Sequence, residues 1–279
     1  MKYVFFGTPE FAATILKNLI DAELIPVAVV CNPDRPAGRK KIITPPRVKD
    51  FILKNGDKSI EILQPEKLKD IEPELKRISP DFILVAAYGK IIPASIIKIP
   101  KLGVVGVHPS LLPLYRGATP IQSVILDDKE ETGVSLYILD QGVDSGPILN
   151  QSKIDINNSN YLELEERLAQ VASELLVKTL PNFILGKIQP ISQDDKQATY
   201  TQKFNSDAGF ISYGVLEEAK TSGKDSFAVL RKIKALNPEP GVYTLDKNGT
   251  RINLLVAKIE KNKLRITKLQ VAGKKPQIL

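Results

Sequence analysis

The stretch "KYVFFGTPEFAATILKNLI", residues 2 to 20, reads as a buried strand, a tight turn and a helix. Its apolar run has no polar alternation, the mark of a strand covered on both faces. Thr8 is placed to cap the helix, with Pro9 at the first helical position and Glu10 in the first turn. A buried strand that runs straight into a helix opens a Rossmann-like α/β domain. The turn lacks Gly-x-Gly-x-x-Gly, so it does not indicate a dinucleotide.

The same apolar signature returns in "IPVAVVC", "DFILVAAY", "GVVGVH" and "GVSLYILD", which predicts a mostly parallel sheet covered by helices. Further on, "NYLELEERLAQVASELLVKTLPNFILGK" predicts a long amphipathic helix from about 160 to 180, with Pro181 near its end. Residues 189–209 are polar and turn-rich and read as a linker. After them, "DSFAVLRKIKAL" predicts a helix, Asn248-Gly249 a hairpin and "KLRITKLQV" a strand. The expected organisation is an α/β domain over 1–188, the linker over 189–209, and a small, basic, β-rich module over 210–279.

Composition narrows the chemistry. The chain is 43% hydrophobic and 25% charged, as a soluble globular protein is, and no apolar run approaches the roughly 18 to 20 residues that span a bilayer. The single Cys31 rules out an intramolecular disulfide framework. With only one histidine besides, His108, a zinc site of nitrogen and sulfur ligands is implausible. The expectation is a cytoplasmic monomer with no metal and no membrane partner. Residues 205–279 hold 14 Lys and Arg against 7 Asp and Glu, while the rest of the chain is balanced at 25 of each. A neutral body with a basic appendage suggests a polyanionic partner, nucleic acid first, although a lysine-rich solvated surface is the plainer reading of charge alone. A second concentration of cations lies in "NPDRPAGRKKIITPPRVK", residues 32–49, directly after the second strand. Ligands of open parallel sheets bind beyond the strands' carboxyl ends, so this loop is expected to overhang the site.

His108 follows "GVVGV", near the carboxyl end of its strand. The next strand runs to Asp140 and leads into "QGVDSGPIL", where Asp144 occupies a Gly-flanked turn. On one edge of neighbouring strands the two would pair, and the carboxylate would orient the imidazole for proton transfer. On spacing alone, a structural histidine satisfied by a carbonyl is the stronger reading.

"GVHPSLLPLYRGATPIQ" together with "ETGVSLYILDQGVDSGPIL" resembles the formyltransferases that use 10-formyltetrahydrofolate. Within them, "PDRPAGR" and "FFGTPEFA" are similar to the branch acting on methionyl-tRNA. The resemblance runs from Lys2 to about Tyr200 with few gaps, and more loosely to "LQVAGKKP". It implies a Rossmann-like catalytic domain and a C-terminal domain of OB type, here shortened. It further implies 10-formyltetrahydrofolate as cosubstrate and initiator methionyl-tRNA as acceptor. Carried over by position, it assigns His108 and Asp144 to catalysis. Val85, Ala86, Ala87, Tyr88, Gly89, Ser110, Leu111, Leu112, Pro113 and Asp140 go to the folate site, and Arg35, Arg39, Lys40, Lys41 and Arg47 to tRNA. The family's catalytic asparagine falls at Gly106.

In this chemistry an amine attacks a formyl carbon, the oxygen gains negative charge and the nitrogen must lose a proton. Losing one oxyanion donor typically costs ~100- to 1000-fold in turnover, about 3 to 4 kcal/mol. Three accounts of Gly106 follow. His108 works alone, helped by a water in the space the glycine leaves, as a slower transferase; or Asn32, Gln122 or Ser145 supplies the donor; or the protein binds without efficient transfer. The first is favoured, and on it Gly106→Asn raises the rate. A formyltransferase acting on a sugar-nucleotide amine, or a formyl-folate hydrolase, would share His108 and Asp144. A catalytically weak tRNA-binding protein would share the charge.

Overall fold

The computed structural model describes residues 1–38, 40–55 and 59–279. Its first elements are β1 (Tyr3–Gly7), α1 (Glu10–Asp21), β2 (Ala28–Val30), the hairpin β3 (Arg35–Ala37) and β4 (Ile42–Thr44), α2 (Arg47–Asn55) and β5 (Glu61–Leu63). Next come α3 (Glu72–Ile78), β6 (Phe82–Ala86), α4 (Ala94–Ile97), β7 (Val104–His108), β8 (Arg116–Gly117) and α5 (Pro120–Leu126). β9 (Glu131–Ile138), β10 (Ile148–Asp155) and α6 (Tyr161–Ile184) follow. The remaining elements are β11 (Tyr200–Thr201), α7 (Tyr213–Thr221), α8 (Ser226–Leu236), β12 (Tyr243–Leu245), β13 (Arg251–Glu260), β14 (Lys263–Val271) and β15 (Gln277–Ile278).

Seven strands form the main sheet in the order β10-β9-β7-β6-β1-β2-β5. The five from β7 to β5 run parallel, and β9 is antiparallel to β7. β1, β2 and β7 are buried along their whole length, which is why their sequences show no alternation. α1 lays Phe11, Ala12, Ile15, Leu16 and Leu19 into this core. Thr8 does not cap α1, whose N-cap is Pro9. Its hydroxyl donates to the Tyr88 carbonyl and accepts from the Asn32 backbone, each at 3.4 Å, so it ties together the carboxyl ends of β1, β2 and β6.

The chain divides into two compact units, and neither is a single stretch of sequence. One comprises Met1–Arg116, Gly133–Ile154 and Glu165–Thr199, the other Gly117–Thr132, Asp155–Leu164 and Tyr200–Leu279. The single boundary expected across 189–209 therefore falls between Thr199 and Tyr200, and two earlier segments also join the second unit. In that unit β12, β13, β14 and β15 form an antiparallel sheet in chain order. The expected hairpin at Asn248-Gly249 links β12 to β13, through a turn in which Gly249 donates to the Asp246 carbonyl at 2.9 Å and takes φ +77°. Among the described residues no ladder joins β12 to β15, so the sheet is an open meander.

Candidate active site

His108 is the last residue of β7 and is 5% exposed. Its Nε2 lies 2.8 Å from the Tyr115 carbonyl. A carbonyl can only accept, so Nε2 carries the hydrogen and donates it, which leaves the neutral ring's lone pair on Nδ1. Nδ1 faces Asp144 Oδ2 at 3.5 Å. A proton taken up at Nδ1 would thus meet a carboxylate already in place.

The route by which Asp144 reaches His108 differs from the expected one. Because β9 is antiparallel to β7, with Val105 opposite Ile138 and His108 opposite Ser135, the carboxyl ends of the two strands point in opposite directions. The segment after β9 folds back instead. Ile138 donates its N–H to the Pro147 carbonyl at 2.9 Å, Leu139 donates to Val104, and Asp144 turns at φ +49°. Gly146 is needed there because a Cβ would collide with the Ile138 carbonyl.

This returning loop is held from below. The side chain of Gln193 donates to the carbonyls of Asp144 and Gly146 at 2.8 and 2.7 Å. Its own oxygen accepts from Arg116, a guanidinium 1% exposed that also meets Asp195 at 2.8 Å. Tyr137, one residue before the end of β9, donates its hydroxyl to Asp144 Oδ1 at 2.5 Å. Burial first, and then the Asp144 charge, hold that phenol well above its usual pKa, so it stays a neutral donor. Sequence reasoning missed Arg116, Gln193 and Tyr137. Their only signals were a polar atom inside an apolar run for Tyr137 and an Arg-Gly pair for Arg116.

The structure does not leave the space over Gly106 open. Gly106 and Tyr137 are register partners across β7 and β9. A Cβ at 106 would fall 2.7 Å from the Tyr137 ring atom Cζ, and closer to its Cε1. The water-filled gap expected there is occupied by an aromatic ring. Of the substitute donors weighed, Asn32 donates to the Tyr88 carbonyl, Ser145 donates to Asp140, and Gln122 lies on α5 in the second unit.

The expected folate residues are placed as follows. Ser110 is fully buried and donates to the Leu114 carbonyl at 2.6 Å. Ser135 donates to the Ser110 carbonyl and accepts from the Leu112 N–H, so it pins the segment containing Leu111, Leu112 and Pro113. Asp140 closes its own turn on Gly142 and Ser145. Val85 and Ala86 belong to β6, while Ala87 and Gly89 lie exposed just beyond it at φ +47° and +81°. Tyr88 points inward, its ring 5.3 Å from that of Phe6. Among the described residues neither the Tyr88 hydroxyl nor Asn32 Oδ1 has a hydrogen-bond partner.

Of the expected tRNA cations, Arg35 pairs with Glu66 at 2.6 Å and Arg47 with Glu10 at 3.2 Å, all exposed. Lys40 and Lys41 are exposed, and Arg39 lies outside the described residues. In the second unit a cavity of about 750 Å³ is lined in part by Lys234, Arg251 and Lys268.

The His108–Asp144 pair, at the carboxyl end of β7 beside a pinned Ser-Leu-Leu-Pro segment, is an arrangement that a group-transfer enzyme can use. Residues 1–180 match the Formyl transferase family, and the chain belongs to it. Among its relatives is a methionyl-tRNA formyltransferase of Caldicellulosiruptor saccharolyticus, 41% identical over 88% of this chain and 76% of that protein. Another, from Halalkalibacterium halodurans, is 37% identical over 99% of this chain and 92% of its own. The fold is also that of a 4-N formyltransferase from Francisella tularensis, with a TM-score of 0.69 at 18% identity, over 93% of this chain and 98% of that one.

Proposed function

We propose that the protein transfers the formyl group of 10-formyltetrahydrofolate to the free amine of initiator methionyl-tRNA, as a monomer in the cytoplasm. The observation that carries this reading is the near full-length likeness to a methionyl-tRNA formyltransferase, together with the His108–Asp144 pair inside the family region. The acceptor amine attacks the formyl carbon, its nitrogen becomes cationic and the carbonyl oxygen anionic. His108, with Nε2–H fixed on Tyr115, takes the nitrogen's proton at Nδ1, and Asp144 stabilises the imidazolium that forms. The C–N bond to folate N10 then breaks and the proton leaves with that nitrogen.

The exposed backbone at Ala87 and Gly89 and the pinned segment from Ser110 to Pro113 are assigned to folate, with Val85, Ala86, Tyr88 and Asp140 shaping the same edge. Arg35, Arg39, Lys40, Lys41 and Arg47 are assigned to tRNA phosphates, aided by the cationic second unit. Formation of formylmethionyl-tRNA from 10-formyltetrahydrofolate and the charged initiator tRNA tests the reading. Formylation of a sugar-nucleotide amine instead, or formate release without an acceptor, would overturn it. Arg39→Ala should weaken tRNA use far more than folate binding.

A further inference from the structure

Tyr137 links position 106 to Asp144 in two ways. Its ring fills the volume above Gly106, its partner on the neighbouring strand, and its hydroxyl reaches the oxygen of Asp144 that does not face His108. The strand alternation that aims Tyr137 at Asp144 also aims position 106 into the same space. A side chain at 106 and a tyrosine at 137 therefore exclude each other. Leu139 Cδ1, which also lies 2.5 Å from a Cβ at 106, is the end of a flexible side chain and can turn away; the ring is held by burial and by its hydrogen bond.

We propose that Tyr137 is a positioning residue for the His108–Asp144 pair. Positions 106 and 137 act as one unit, in which glycine makes room for a phenol that fixes the Asp144 carboxylate. This rests on the assignment of His108 and Asp144 to proton handling. With Oδ1 engaged by the phenol, the carboxylate is held against rotation and Oδ2 stays turned toward Nδ1. The structure also reverses the expectation for Gly106→Asn. With Tyr137 in place, the asparagine has no room.

The chain's single histidine allows a test that does not depend on turnover. In tag-free protein labelled with ¹⁵N-histidine, one imidazole is observed. Tyr137→Phe keeps the ring and removes the donor. It should shift the His108 ring resonances and lower kcat tenfold or more, with KM for both substrates within twofold. Unchanged resonances in Tyr137→Phe overturn the proposal whatever the activity does. Gly106→Asn alone should lose activity or fold poorly, and Gly106→Asn with Tyr137→Val should exceed either single variant. Wild-type rates in Gly106→Asn alone would show that the two positions are not coupled. If the wild-type protein transfers no formyl group to methionyl-tRNA while Tyr137→Phe still shifts the imidazole, the assigned reaction fails and the positioning role stands.

Discussion

Arg116 and Gln193, 77 residues apart, meet through two hydrogen bonds from one guanidinium to one amide oxygen, at 3.0 and 2.8 Å. The same amide holds the backbone of the Asp144 loop from its other end. Hydrogen bonds to a charged partner are worth roughly 1.5–3 kcal/mol. Arg116→Met should lower stability by about that much in urea denaturation, and kcat should fall further than the loss of folded protein accounts for. A stability loss with kcat per folded molecule unchanged would mean that the loop is held without this link.

Asp144→Asn isolates charge from shape. Asparagine tolerates the left-handed backbone at φ +49° and can still accept from the Tyr137 hydroxyl, so the fold should persist. What disappears is the negative charge that faces His108 Nδ1. Loss of positioned acid–base help typically costs 10²–10⁴-fold, so kcat should drop about 100-fold or more, with folate affinity retained. His108→Gln should drop at least as far. Rates within threefold of wild type for both would remove the pair from the chemistry.

Ser135→Ala strips three bonds at once. The hydroxyl donates to Ser110 and accepts from Leu112 and Gln151, and it is fully buried. Its loss strands a buried N–H and a buried carbonyl, which costs about 1–3 kcal/mol. Because the segment it pins is assigned to folate, KM for the formyl donor should rise while KM for tRNA holds. A rise in both alike would argue against that assignment.

Alkaline pH should destabilise the fold. Burial pushes the Cys31 thiol from 9.0 up to about 12 and the Tyr88 phenol from 10.0 up to about 12. Both groups keep their protons in the native state at a pH where the unfolded chain has released them. Their contribution is complete below about pH 9 and is lost as pH rises toward 12. The urea midpoint should decline across that window, and Cys31 should resist thiol reagents at pH 8 until urea unfolds the chain. Fast labelling of native protein would contradict the burial of the thiol.

The parallel core was legible because strands such as "YVFFG", fully buried, and "FILVA", buried except for the half-buried Val85, carry their burial in composition alone. β5, with three residues, and β10, half of whose residues are exposed, carried no such mark. Thr8 stood where a cap belongs, and its hydroxyl went to neighbouring strand ends, a tertiary choice that local pattern cannot express. His108 and Asp144 do lie together, but for a reason the fold replaces, since an antiparallel β9 and a fold-back loop bring them within 3.5 Å. Tyr137 stayed hidden because its partner was a glycine, and a missing side chain gives no hint of what fills its place.

β1 sits inside the seven-stranded sheet, with β2 and β6 on its two sides. As the chain leaves the ribosome, each later strand of this sheet finds its partner already made. β2 joins β1, and β5 joins β2. On the other side β6 joins β1, followed by β7, β9 and β10 in turn. Such distant parallel pairings are slow to form in a free chain. Here the order of synthesis is also an order of assembly, so the sheet can grow outward from its first strand and leave only one new edge open on each side at a time.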